Sequence, residues 1–160
     1  MPTSDKATAI LDAALALFAE RSFAGTRVPE IAERARVAAG TLYHYFPSKE
    51  SLGNALYRRC IGNFSQIWQV PDEGPVRAQF EVFCRRFQSF IFEHTEQFTF
   101  LEGQCHNRYL DAESQACGDA FDAGLRALFR RWAAQGALAS SNVDLMVALV
   151  FGGLLGLFKA

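Results

Sequence analysis

Nowhere in the 160 residues is there an apolar run long enough to cross a bilayer. The longest, Leu145 to Phe158, falls short of the ~18–20 residues that a helical span requires, so a buried or interface helix is expected there. No basic stretch precedes the first apolar run, which starts at Ala7, follows Asp5 and Lys6 and carries Asp12, so no secretory signal is expected. The four cysteines (Cys60, Cys84, Cys105, Cys117) include no C-x-x-C pair. With no export signal, they read as reduced thiols of a cytoplasmic protein rather than as redox sensors. No segment alternates apolar and polar residues as a half-buried strand does. A phosphate-binding loop, a dinucleotide fingerprint and a G-x-S-x-G elbow are all missing, which argues against an enzyme. Cys105 and His106 are adjacent, hence on different helix faces, and His94 does not complete a metal site with them. No metal or other cofactor is expected.

Net charge is also scarce, at -1, but it is unevenly distributed. Between residues 21 and 59, seven cations (Arg21, Arg27, Arg34, Arg36, Lys49, Arg58, Arg59) face three acids (Glu30, Glu33, Glu50). From residue 60 onward, eight cations face eleven acids. A basic N-terminal third on an acidic body is the charge pattern of a protein with one nucleic-acid face. Half the residues are hydrophobic and 15 are Phe, which is ample material for a folded core.

Helical rhythm runs through the whole chain. In the first helix Ile10, Ala14, Leu17 and Phe18 share a face, with Thr3 or Ser4 as cap and Gly25 as the left-handed terminator. Thr26 is placed to cap a short second helix with Pro29 in its first turn and Val28, Ile31 and Ala35 inward. After a tight turn, "GTLYHYF" forms a third, very short helix, and Ser48 caps a fourth. Val76, Phe80, Phe83, Phe87 and Phe90 or Ile91 define another helix, and "TEQFTFLEGQCHNRYL" a short one. Phe121, Leu125, Leu128, Phe129 and Trp132 define a long helix ended by Gly136, and Ser141 or Asn142 caps the last. The fold class is all-α, with about eight helices.

Two short helices joined by a tight turn make a helix-turn-helix. Leu42 and Phe46, four apart, point into its core, which leaves Gly40, Thr41, Tyr43, His44 and Tyr45 displayed. That cluster is a presented surface rather than a catalytic constellation.

The stretch from Ala9 to Leu52, with "LFAERSFAGT", "IAERA" and "GTLYHYFPSKESL" in order, resembles the N-terminal DNA-binding domain of the tetracycline-repressor (TetR) family of transcriptional regulators. The resemblance implies a DNA-binding domain over residues 1–51 and a helical regulatory and dimerisation domain over 52–160. It implies a homodimer on a (pseudo)palindromic double-stranded operator, released by a small-molecule effector. Thr26 and Arg27, at the second helix's start, approach phosphate on this reading. Gly40 permits close backbone approach, Thr41 reaches a base edge, Tyr43 and His44 reach phosphates or bases, and Lys49 anchors a phosphate. Tyr45 divides between packing and contact.

Three positions depart from the family pattern. Arg36 replaces the turn glycine, at a cost on the order of 1 kcal/mol if left-handed, and is itself a candidate phosphate contact. Ala38 replaces the capping Ser or Thr, and Ala39 replaces a Lys. They keep open a second reading, a degenerate member that binds ligand or partner without specific DNA binding.

Phe83, Phe87, Phe98, Leu101, Cys105, Tyr109, Phe121 and Leu125 are the expected lining of a hydrophobic effector pocket, with Gln104, His106 and Tyr109 as its polar groups. Gly152 and Gly156, four apart in the last helix, allow close helix approach at the dimer interface. The family's architecture implies one further helix beyond Ala160.

Overall fold

The computed structural model describes residues 3–103, 108–136 and 142–159. Among them eight α-helices follow one another with no strand: α1 (Thr3–Gly25), α2 (Val28–Arg34), α3 (Ala39–Tyr45), α4 (Lys49–Phe64), α5 (Val76–Glu93), α6 (Thr95–Gly103), α7 (Ala112–Ala134) and α8 (Val143–Lys159). A 3-10 turn, Ser65–Trp68, extends α4. The chain divides into two compact units that do not follow the 51/52 boundary. The first comprises residues 1–63 and 94–117, the second residues 64–93 and 118–160.

The first unit is built on the face read from α1. Ile10, Ala14, Leu17 and Phe18 are all at most 4% exposed. They join Ile31 of α2, Leu42 of α3, and Leu52, Leu56 and Cys60 of α4 in one cluster. Phe100 brings α6 into this core by stacking on Phe18 at 6.0 Å. Burial pushes the Cys60 thiol up to about 12, so its reactive thiolate is scarce at neutral pH.

The second unit is held by aromatic packing. Phe83 meets Trp132 edge-on at 5.9 Å and Phe129 at 6.1 Å. The Trp132 indole N–H donates to Oε1 of the buried Gln79 at 2.9 Å, and Gln79 Nε2 donates to the Gly74 carbonyl at 3.0 Å. The tryptophan's polar edge is thus satisfied inside the core.

Helix ends mostly follow the expected chemistry. Ser48 Oγ accepts from Ser51 N–H, and Ser51 Oγ accepts from Ser48 N–H, each at 3.0 Å, a reciprocal cap on α4. Asn142 Oδ1 accepts from Leu145 N–H at 3.0 Å and caps α8; the alternative cap, Ser141, lies outside the described residues. Gly136, with φ +71°, follows the end of α7.

Two ends differ from expectation. Gly25 is not left-handed; the break in α1 falls at Ser22, with φ 68° and ψ 164°. Ser22 makes its own stop, because its Oγ accepts from Gly25 N–H at 3.3 Å. Nor does Thr26 cap α2, whose N-cap is Arg27. Thr26 is 1% exposed, and its hydroxyl lies 2.9 Å from the Ser22 carbonyl and 3.2 Å from that of Leu17. Its proton is therefore used to fasten the end of α1 instead. The first turn of α2 is stabilised by Glu30, which accepts from Arg27 N–H at 2.8 Å.

The turn between α2 and α3 is left-handed at Arg36, with φ 56°. Val37 N–H reaches the Ala32 carbonyl and Arg36 N–H the Glu33 carbonyl, each at 3.0 Å. These two bonds form the Schellman closure, with Val37 returning to the core beside Ile31 and Ala32. Arg36→Gly should therefore gain about 0.5 kcal/mol, the relief of left-handed strain exceeding glycine's extra unfolded-state entropy. Ala38→Ser should gain about 1 kcal/mol by supplying the missing cap, raising the melting temperature by about 2–4 °C. Thermal denaturation checks both; a lower midpoint in either variant contradicts the assignment.

Candidate functional site

Leu42, fully buried, and Phe46, 9% exposed, seat α3 on the core formed by α1, α2 and α4. Tyr45 packs against the same core while its ring meets His44 edge-on at 5.5 Å. The remaining surface of α3 points away from this core. Gly40, Tyr43 (49% exposed) and His44 are exposed, and Thr41 is half-buried. Seven residues of helix thus carry two anchors and a short polar display.

A Cβ added at Gly40 would meet nothing within 4 Å. The chain's own packing therefore gives no reason for glycine there, although a helix interior disfavours it by about 1 kcal/mol. The space above Gly40 is open to whatever approaches α3.

The local excess of cations is less free than the sequence suggests. Arg34 pairs with Glu20 at 2.8 Å, Arg59 with Asp12 at 2.7 Å and Arg21 with Glu30 at 3.3 Å. Arg58 pairs with Asp111 at 3.3 Å and Glu113 at 3.4 Å. Arg27 lies 3.6 Å from Glu30, whose carboxyl is held below the usual range mainly by the Arg27 backbone N–H. Of the seven, only Arg36 and Lys49 make no ion pair among the described residues. Arg36 is exposed beside α3. Lys49 is half-buried with Nζ 4.5 Å from the centre of the Phe23 ring. Partial desolvation there pulls its ammonium below the usual lysine range, opposed by Glu50.

Most of the expected residues lie on neighbouring elements: Arg27 at the N-cap of α2, Arg36 in the turn after it, Gly40, Thr41, Tyr43 and His44 on α3, and Lys49 in the first turn of α4. Thr26 is the correction. Its side chain is buried and its hydroxyl is committed to two carbonyls, so it has nothing to offer a phosphate.

The expected effector pocket is redistributed. Phe98, 1% exposed, and Leu101 belong to the first unit, where Leu101 packs on the core. Tyr109 is in the same unit, stacked on Phe23 with centroids 4.0 Å apart. Phe83, Phe87, Phe121 and Leu125 pack in the second unit, where Phe121 stacks on Phe64 at 5.0 Å. Gln104, Cys105 and His106 lie outside the described residues. An apolar cavity of about 340 Å³ does occur in the second unit, between α5, α7 and α8. Val76, Phe80, Phe129, Trp132, Met146 and Val150 line it with Arg77 beside them, and none of the expected residues does. Of the expected set, Phe83, Phe87, Phe98 and Leu125 are buried core residues; the cavity lies toward the start of α5 and the end of α7.

Sequence reading missed Phe23, Gly53 and Asn54. Gly53 had a legible signal, since a glycine inside a helix often marks a close approach. Asn54 is 3% exposed, with Nδ2 donating to the carbonyls of Glu50 (2.9 Å) and Tyr109 (2.8 Å) and Oδ1 accepting from Asp111 N–H (2.9 Å).

If Gly40 is kept for an approaching partner, Gly40→Ala should hold or raise the melting temperature by about 2 °C while weakening DNA binding. Parallel denaturation and DNA titration check it; lost stability with unchanged binding reverses the assignment.

The model of bacterial regulatory proteins of the tetR family matches residues 10–56, and that of the tetracyclin repressor-like C-terminal domain matches residues 57–160. The chain is 46% identical over 68 residues to the HTH-type transcriptional regulator RutR of Escherichia coli K12, covering 42% of this chain and 30% of RutR. It is 45% identical over 90 residues to the HTH-type transcriptional repressor KstR2 of Mycobacterium tuberculosis H37Rv, covering 54% of this chain and 45% of that protein. The chain thus spans under half the length of these curated relatives. A crystal structure of a tetR family transcription regulator from Shewanella sp. PV-4 superposes with a TM-score of 0.78 at 28% identity, covering 94% of this chain and 82% of that one. With a helix-turn-helix seated as described and family matches that run from residue 10 to residue 160, the chain belongs to the TetR family of transcriptional regulators.

Proposed function

We propose that this protein is a ligand-responsive repressor that binds a (pseudo)palindromic DNA operator as a homodimer and is released by a small hydrophobic or aromatic effector. The observation that carries the reading is α3: a short helix fixed by Leu42 and Phe46 that displays Gly40, Thr41, Tyr43 and His44, flanked by Arg36 and Lys49, which make no ion pair among the described residues. On this reading residues 1–51 form the DNA-binding part and 52–160 the regulatory part. Thr41, Tyr43 and His44 read base edges or touch phosphates, while Arg27, Arg36 and Lys49 hold phosphates. The apolar cavity between α5, α7 and α8 supports the hydrophobic effector and replaces the pocket expected from sequence. On α8, Leu145 (49% exposed), Leu149 (62%), Gly152 and Gly156 are exposed, which supports pairing of that helix with a second protomer. No described helix is long and apolar enough to cross a membrane, and a cytoplasmic site of action suits a DNA-bound regulator.

The opposing reading, a ligand-binding module without specific DNA binding, draws on one observation: Ala38 gives α3 no side-chain cap. Selection from random duplex DNA at moderate salt separates the two. An enriched inverted repeat is expected; no enrichment from a folded dimer favours the module. On the recovered duplex, Tyr43→Ala should weaken binding without lowering the melting temperature. Lys49→Ala should weaken binding to all sequences and flatten the salt dependence by about 1 in log–log slope per protomer. A loss confined to one sequence would remove Lys49 from the phosphate contacts.

A further inference from the structure

We infer that Tyr109, remote in sequence from the helix-turn-helix, is a positioning residue for DNA binding, because it fixes the ring against which the Lys49 ammonium rests. The inference rests on the DNA-binding reading above. Three residues distant in sequence form one stack. The rings of Phe23 and Tyr109 lie 4.0 Å apart between centroids and 13° from parallel. Lys49 Nζ lies 4.5 Å from the Phe23 centroid. A ring stacked at that spacing fills one face of Phe23, so the ammonium takes the other.

The stack lies directly on α4. Gly53 is one turn on from Lys49, and a Cβ there would come 2.9 Å from Cε2 of both Phe23 and Tyr109. Glycine at this position is thus what lets the two rings lie against the helix. Tyr109 is also delivered to its place by the neighbouring residue of α4. Asn54 donates to the Tyr109 carbonyl at 2.8 Å and accepts from Asp111 N–H at 2.9 Å, gripping the backbone on both sides of Leu110. Arg58, one turn further along α4, holds Asp111 at 3.3 Å and Ser114 Oγ at 2.9 Å. Phe18 braces the Phe23 ring from the core at 5.2 Å.

A lysine side chain has many rotamers, and ordering it at a phosphate costs conformational entropy. Resting the ammonium on an aromatic face restricts those rotamers before DNA arrives, which is preorganisation. Without Tyr109, Phe23 loses the ring stacked on one face and is held less tightly, so Lys49 loses a fixed rest. Lys49 and the segment around Tyr109 are thereby coupled through the half-buried Phe23 ring.

The test is a double-mutant cycle on the duplex recovered by selection, with Tyr109→Leu, which keeps the bulk and removes the flat ring, and Lys49→Ala. Tyr109→Leu should weaken binding about fivefold and flatten the salt dependence, and this loss should vanish in the Lys49→Ala background. Tyr109→Phe, which keeps the ring, should bind like the wild type. An equal loss in both backgrounds, wild-type affinity for Tyr109→Leu, or a matching loss for Tyr109→Phe each overturns the inference. If Tyr109→Leu does not fold, Gly53→Ala, which lifts the rings from α4, takes its place with the same expected outcome. Proton NMR of the free protein separates this inference from the DNA-binding reading. The Lys49 ε-methylene should be shifted upfield by the ring in the wild type and return to the ordinary lysine position in Phe23→Leu. An unshifted wild-type signal refutes the stack whether or not the protein binds DNA.

Discussion

The burial of Leu42 and Phe46 is the constraint on which the candidate site depends. A helix of seven residues has too few internal hydrogen bonds to persist alone, and most of its stability must come from packing. Here the two apolar residues, one turn apart, insert into a core made by α1, α2 and α4. Their depth fixes both the height and the rotation of α3, and so fixes which residues remain outside. The display of Gly40, Tyr43 and His44 is the complement of that seating. A truncation in this pair would act on recognition at a distance, by letting the helix turn or lift, even though neither side chain is exposed.

Electrostatics refines this picture. The sequence suggests a broad basic face, but five of its seven cations are tied to acids within the first unit. Exposed ion pairs of this kind contribute little stability, roughly 0–1 kcal/mol each. Their larger effect is on the field, since a paired arginine projects less charge than a free one. The two that make no ion pair among the described residues, Arg36 and Lys49, bracket α3 in sequence.

The helices and the core face of α1 were legible because periodicity reports which residues share a face, and a buried face is the dominant energetic fact about a short amphipathic helix. The seating of α3 followed from the spacing of Leu42 and Phe46. Hydrogen bonds at helix ends were less legible. Thr26 has the right identity for a cap, yet a hydroxyl can equally donate to a carbonyl one turn back, and only the path of α1 decides between them. The cavity between α5, α7 and α8 was not legible for a related reason. Phe83, Phe87 and Leu125 occupy the centres of their helix faces, where packing is densest. A cavity needs a gap between helices, and periodicity carries no record of how far apart two faces stand. The Phe23–Tyr109 stack joins residues 86 positions apart, beyond any local pattern, and Gly53 alone hinted at a close approach.

The two left-handed residues that lack glycine are instructive together. Ser22 breaks the last part of α1 with φ 68°, and Arg36 follows the cap of α2 with φ 56°. Each carries strain on the order of 1–2 kcal/mol, and each persists because neighbouring hydrogen bonds over-determine it. At Ser22 these are the Oγ bond from Gly25 N–H and the Thr26 hydroxyl on its carbonyl. At Arg36 they are the paired bonds that close α2. Arg36 lies in the turn that joins α2 to α3, so the angle between those helices is set by a backbone conformation that the side chain alone would not choose. Glycine at either place would relieve strain but widen the range of paths open to the chain. For a helix whose task is to hold α3 at one angle, a strained turn with a single path serves position better than a relaxed turn with several.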